Sequence, residues 1–132
     1  MSNIKKILVV DDEPDAIEFV KAVLSELNEV EIISAPDGEE GIKKTLSEKP
    51  DLILLDVLMP GIDGFHVFHE LRNRSETQNI PVIMLTGVAD KIGIKFMKDD
   101  MKNYLGSEPV DYIEKPLDPD KLIDAVKNVV YA

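Results

Sequence analysis

Five short runs of aliphatic and β-branched residues recur along the chain, at residues 4–10, 30–35, 52–55, 81–86 and 110–113, with helix-period segments between them. Short apolar runs alternating with helical spacing favour parallel strands, right-handed crossovers and helices on both faces of the sheet. The expected fold is therefore α/β, a three-layer, doubly wound parallel sheet. A chain of 132 residues closes one sizeable core and is too short for two, so residues 1–132 are expected to form a single domain.

The intervening segments carry helix signals of differing strength. The first sets Ala16, Ile17, Val20, Val23, Leu24 and Leu27 on one face, and Pro14 suits its first turn. The second opens with Asp37 and Glu40 at capping-box spacing and carries Ile42 and Leu46 on its apolar face. The third starts at Asp63-Gly64, read as an N-cap followed by a flexible residue, with Phe65, Phe68 and Leu71 inward. The fourth, about 89–105, has a face of Ile94, Met97, Met101 and Tyr104 weakened by Gly93 and Asp99-Asp100. The last opens at Asp118-Pro119 and buries Leu122, Ile123, Val126, Val129 and Val130.

In such sheets ligands bind outside the carboxyl ends of the strands, where strand order reverses. The first strand ends in Asp11-Asp12, the third at Asp56, the fourth at Thr86, and the fifth runs into Lys115-Pro116. An ionised carboxylate at the end of a core strand is costly unless it is paired, so Asp56 calls for a cation, a metal or a reaction nearby. Three clustered carboxylates must raise a pKa or hold a cation, and an all-oxygen site without His or Cys suits Mg²⁺, with Mn²⁺ the substitute. Mg²⁺ beside a lysine and a hydroxyl points to phosphoryl chemistry, in which Asp56 can be the nucleophile while the metal and Lys115 neutralise charge.

Composition closes other routes. With 15 Lys+Arg against 26 Asp+Glu the formal charge is -11, which disfavours nucleic acid and anionic membranes as direct partners. The absence of Cys removes disulfide and thiolate chemistry and fits a cytoplasmic location. No stretch has the length of a signal h-region or a membrane span.

The chain resembles a response-regulator receiver domain of two-component signalling, CheY-like, from Ile4 to Val130. Leu-Val-Val-Asp-Asp-Glu-Pro, Leu-Leu-Asp-Val-Leu-Met-Pro-Gly-Ile-Asp-Gly, Ile-Met-Leu-Thr-Gly and Tyr-Ile-Glu-Lys-Pro occur in the family's order. The resemblance implies a flavodoxin-like (βα)5 sheet in strand order 2-1-3-4-5, the order for which CheY serves as a standard example. It implies that Asp56 accepts a phosphoryl group from a sensor histidine kinase or phosphotransfer protein. Asp12, Asp56 and the Leu58 backbone carbonyl would bind Mg²⁺, with Asp11 assisting through water and Lys115 pairing with phosphate oxygen. Thr86 matches the switch hydroxyl, Tyr112 the aromatic that moves inward behind it, and Lys115-Pro116 a cis-peptide site. Gly87 is small and leaves the pocket open to a donor.

Two departures from the family stand out. Thr86 and Lys115 lie 29 positions apart (115 − 86), more than is usual, and Gly106-Ser-Glu-Pro109 replaces a compact turn. This bears on the signalling face formed by the fourth helical segment, the fifth strand and the last helix. Leu58 and Val88 flank the pocket with apolar groups that cannot position water, so a long-lived acyl phosphate is expected.

Other readings are weaker. A haloacid-dehalogenase type of phosphohydrolase wants Asp-x-Asp at its nucleophile strand, and Asp56-Val-Leu58 lacks it. An unphosphorylated scaffold would have lost the acceptor, the acidic pair or the lysine, and all are present. His66 and His69 share a helix face but have no third ligand in view and are read as solvated. With the sequence ending at Ala132, no effector domain is expected, and output would pass through contacts with an unknown downstream protein.

Overall fold

A computed structural model of the chain describes residues 4–87 and 109–131. Their elements are β1 (Lys5–Val10), α1 (Pro14–Leu24), β2 (Val30–Ala35), α2 (Gly38–Glu48), β3 (Leu52–Asp56), α3 (Gly64–Arg72), β4 (Val82–Thr86), β5 (Asp111–Glu114) and α4 (Pro119–Val130). The strands form one parallel sheet in the order β2-β1-β3-β4-β5, as expected. Val88, the fourth helical segment at about 89–105 and residues 106–108 lie outside the described residues.

The continuous apolar runs follow from a sheet covered on both faces, because alternate residues then serve two cores. Ile7, Val9, Leu52, Leu54, Ile83 and Leu85 pack with α1 and α4. Leu8, Val10, Ile53, Leu55, Val82 and Met84 pack with Val67, Phe68 and Leu71 of α3. The expected helix faces hold: Val20 and Leu24 of α1 are buried, as are Leu122, Val126 and Val130 of α4, while Ile17, Val23, Leu27, Ile123 and Val129 pack against them partly buried.

Capping places the helix starts. Asp63 accepts a hydrogen bond from the His66 amide, and Asp118 from the amides of Asp120 and Lys121, each satisfying donors at a helix N-terminus. Asp37 caps α2 through the Glu40 amide, but the Glu40 carboxylate lies 3.4 Å from Lys43 Nζ, so half of the expected capping box forms. Helix α1 starts without a side-chain cap, and Pro14 occupies its first turn, where a missing amide costs nothing.

The fifth strand begins one residue later than its apolar run. Val110 is exposed, although its amide donates to the Val82 carbonyl at 2.9 Å.

Candidate functional site

The parallel register aligns the strand ends. Val10 faces Leu55 across β1 and β3, and Asp56 faces Leu85 across β3 and β4. The residues just beyond these points, and the last residues of β3 and β4, therefore share one edge of the sheet.

Asp11 follows β1, is fully buried, and is held on both sides. One carboxylate oxygen accepts the Glu13 amide at 3.0 Å and the other accepts Lys115 Nζ at 3.0 Å. Asp12 beside it is exposed. Asp56 ends β3 with its residue 5 % exposed, and its Oδ1 lies 3.2 Å from Lys115 Nζ. One ligand atom from each of Asp11, Asp12 and Asp56 lies within 4.8 Å of the others, an oxygen donor set that fits a hard divalent cation.

Lys115 reaches the carboxylates from the position that follows β5. Its amide donates to the Thr86 carbonyl at 2.6 Å, which ties the end of β5 to the end of β4, and the Lys115-Pro116 bond is cis. Thr86 is buried, and its hydroxyl points toward the Ile113 carbonyl at 3.5 Å, a long hydrogen bond. Gly87 follows at half burial. Tyr112 pairs with Met84 in the sheet and packs, partly buried, against the core on the α3 side. Leu58 sits two residues past Asp56 and is 60 % exposed. Thus Asp11, Asp12, Asp56, Thr86 and Lys115 converge, with Leu58 and Gly87 at the border, while Tyr112 stands in the strand that leads to Lys115.

The electrostatics of the cluster favour a cation. Burial pushes the Asp56 carboxyl up to about 6, the Asp11 charge adds to the rise, and attraction to Lys115 offsets only part of it. Burial pulls Lys115 down, but its hydrogen bond to Asp11 and the charges of Asp56 and Asp11 outweigh burial and leave it raised. One lysine serves two carboxylates, so the cluster retains uncompensated negative charge that a divalent cation would relieve.

His66 and His69 are exposed on α3, and His69 Nε2 lies 2.9 Å from the Asn73 side-chain amide. The helical faces read from sequence did not disclose an apolar recess beside the site. Glu13, Ala16, Phe19, Lys115, Pro116 and Leu117 line a cavity of about 250 Å³. Its one sequence signal is Phe19, an aromatic residue outside the buried stripe of α1 and 40 % exposed. Among the described residues no helix is long and apolar enough to cross a membrane.

The family model described as the response regulator receiver domain matches residues 7–127. PilH of Pseudomonas aeruginosa is 32% identical over 125 residues, covering 95% of this chain and 97% of that protein. The alkaline phosphatase synthesis transcriptional regulatory protein PhoP of Bacillus subtilis is 38% identical over 128 residues, covering 96% of this chain and 48% of PhoP. The chain thus spans about half the length of PhoP and of several other curated relatives. Among solved structures, the chemotaxis protein CheY4 of Vibrio cholerae superposes with a TM-score of 0.79 at 27% identity, covering 96% of this chain and 98% of that one. With the 2-1-3-4-5 sheet and the acidic edge already in place, these matches show that the chain belongs to the response regulator receiver domain family, whose members are phospho-accepting signalling domains.

Proposed function

We propose that Asp56 is the phosphoacceptor of a single receiver unit spanning residues 1–132, and that the domain catalyses its own phosphorylation. Receiver domains bind Mg²⁺ at an acidic pocket and take their phosphoryl group from histidine kinases. The observation that carries the assignment is the convergence of Asp56 with Asp11 and Lys115 at the switch-point edge, with Asp56 3.2 Å and Asp11 3.0 Å from the lysine nitrogen.

In the proposed step an Asp56 carboxylate oxygen bonds to phosphorus as the phosphorus–nitrogen bond of a phosphohistidine breaks. The electron pair of that bond stays with the imidazole nitrogen, and an acyl phosphate remains on Asp56. Asp11, Asp12, Asp56 and the Leu58 carbonyl would hold the cation, which supplies charge neutralisation on the transferring group when bound. Lys115, already beside Asp56, is placed to pair with a phosphate oxygen. The apolar recess formed by Phe19, Pro116 and Leu117 next to Lys115 supports a protein as donor, because a small phosphate ester has no use for it.

The output follows from the same contacts. The Thr86 hydroxyl is weakly held at 3.5 Å, so phosphate oxygens offer it a stronger acceptor, and a shift at Thr86 bears on β5 and Tyr112 through the Lys115 amide. The domain then changes its affinity for a downstream protein. The test is intact mass after incubation with acetyl phosphate and Mg²⁺, with and without EDTA. Gain of one metal-dependent phosphoryl group, absent in Asp56→Asn, is expected, and no gain with several donors sinks the assignment.

A further inference from the structure

We infer that Gly64 is a positioning residue for the phosphoacceptor and its cation, because the first turn of α3 lies against the peptide that carries Asp56. The inference rests on the reading of Asp56 and Leu58 just proposed.

Gly64 opens α3 and is buried, and its amide donates to the Val57 carbonyl at 2.8 Å. A Cβ on Gly64 would stand 2.4 Å from the Asp56 carbonyl oxygen, 2.9 Å from Val57 Cα and 3.1 Å from the Asp56 carbonyl carbon. All three are backbone atoms, so no rotamer change relieves the overlap. Gly61 is the glycine with a positive φ among the described residues, at 81°, and Gly64 is not needed for a left-handed turn. The glycine after Asp63 is therefore required by space, and not by the flexibility that its place after an N-cap suggests.

A second helix holds the same loop from its side. Gly38 opens α2, and a Cβ there would meet Ile62 Cγ1 at 2.6 Å and Val67 Cγ2 at 2.7 Å. Residues 57–63 are thus closed at the end by α3 and pressed by α2 through Ile62. The Leu58 carbonyl belongs to this loop and Asp56 precedes it, whereas Asp11 and Asp12 come from β1. Ordinary contact begins at 3.4 Å, so an alanine at 64 needs a shift of about 1 Å (3.4 − 2.4) between α3 and the Asp56 peptide. That shift draws one half of the oxygen donor set away from the other.

Amide chemical shifts read during titration with Mg²⁺ alone, together with phosphorylation by acetyl phosphate, test this. Gly64→Ala is expected to raise the Mg²⁺ Kd roughly tenfold and to slow phosphoryl gain, since a displacement near 1 Å at a reacting group can cost up to about a hundredfold. Leu24→Ala, fully buried at the far end of α1, serves as the destabilised control and should keep the wild-type Kd. Gly38→Ala meets side-chain atoms that can yield, so a smaller rise is expected, and this variant decides the matter if Gly64→Ala does not fold.

Equal Kd values for Gly64→Ala and wild type, or an equal rise in Leu24→Ala at matched melting temperature, overturn the inference while leaving Asp56 as acceptor. With Gly64→Ala unfolded, an unchanged Kd in Gly38→Ala does the same. Failure of the wild-type protein to bind Mg²⁺ or gain a phosphoryl group removes the acceptor reading and this inference together.

Discussion

Replacing Asp56 by Asn should stabilise the metal-free protein, and by an amount that grows with pH. Burial and the neighbouring Asp11 raise the Asp56 carboxyl from 3.8 to about 6, with Lys115 only partly compensating. The folded state therefore binds this proton more tightly than the unfolded state does. Its contribution to stability is fully present below 3.8 and is lost as pH rises through about 6. Linkage over that interval puts the gap between Asp56→Asn and wild type at roughly 0.5 kcal/mol at pH 4 and about 3 kcal/mol at pH 7.5. Asn keeps the volume and has no charge to desolvate, so the gap cancels the titrating groups that do not interact with Asp56. Urea unfolding in EDTA at a series of pH values reads it directly. Excess Mg²⁺ should narrow the gap at pH 7.5, since a cation bound by the folded wild type stabilises it alone. A gap that is flat with pH, or a variant less stable than wild type at pH 7.5, would refute the account of Asp56 as a carboxylate strained by its surroundings.

Lys115→Met removes the cation shared by Asp11 and Asp56 and should cost roughly 1–3 kcal/mol at pH 7.5 without metal, less than the roughly 3–5 kcal/mol of a fully buried pair because the Lys115 side chain is a quarter exposed. The cost should shrink in excess Mg²⁺, while phosphoryl gain by intact mass falls; a cost that is the same with and without Mg²⁺ contradicts the shared-cation account. Leu58→Gln places a polar group at the exposed border of the site, where it can orient attacking water, and should shorten the acyl-phosphate lifetime about tenfold or more. Decay of the phosphorylated mass in Mg²⁺ measures it, and an unchanged lifetime removes the explanation based on an apolar border.

The parts of the site that could be read from the chain were those where one local rule coincided with one edge of the fold. Asp56 is legible because an apolar strand must end, and in a parallel sheet all strand ends of one sense share an edge. Lys115 is legible for the same reason, though its pairing with Asp11 across 104 positions depends on β5 lying on the same side of β1 as β3 and β4, which follows only once the strand order is known. Capping by Asp37, Asp63 and Asp118 was local and readable, whereas the unformed half of the α2 box was not, because Lys43 competes for the Glu40 carboxylate. What local patterns could not convey is distance between elements. Phe19 is apolar in any reading, but its place beside Pro116 and Leu117 depends on how α1 approaches the end of β5. Gly64 is the sharper case, since the same residue after an N-cap serves for flexibility in one fold and for contact in another. The overlap that a Cβ at 64 would make with the Asp56 carbonyl distinguishes them, and it belongs to the packing of α3 against the end of β3. A glycine next to a catalytic strand should accordingly be judged by what its missing Cβ would touch before its φ is invoked, and here that test links the start of a helix to the geometry of the acceptor.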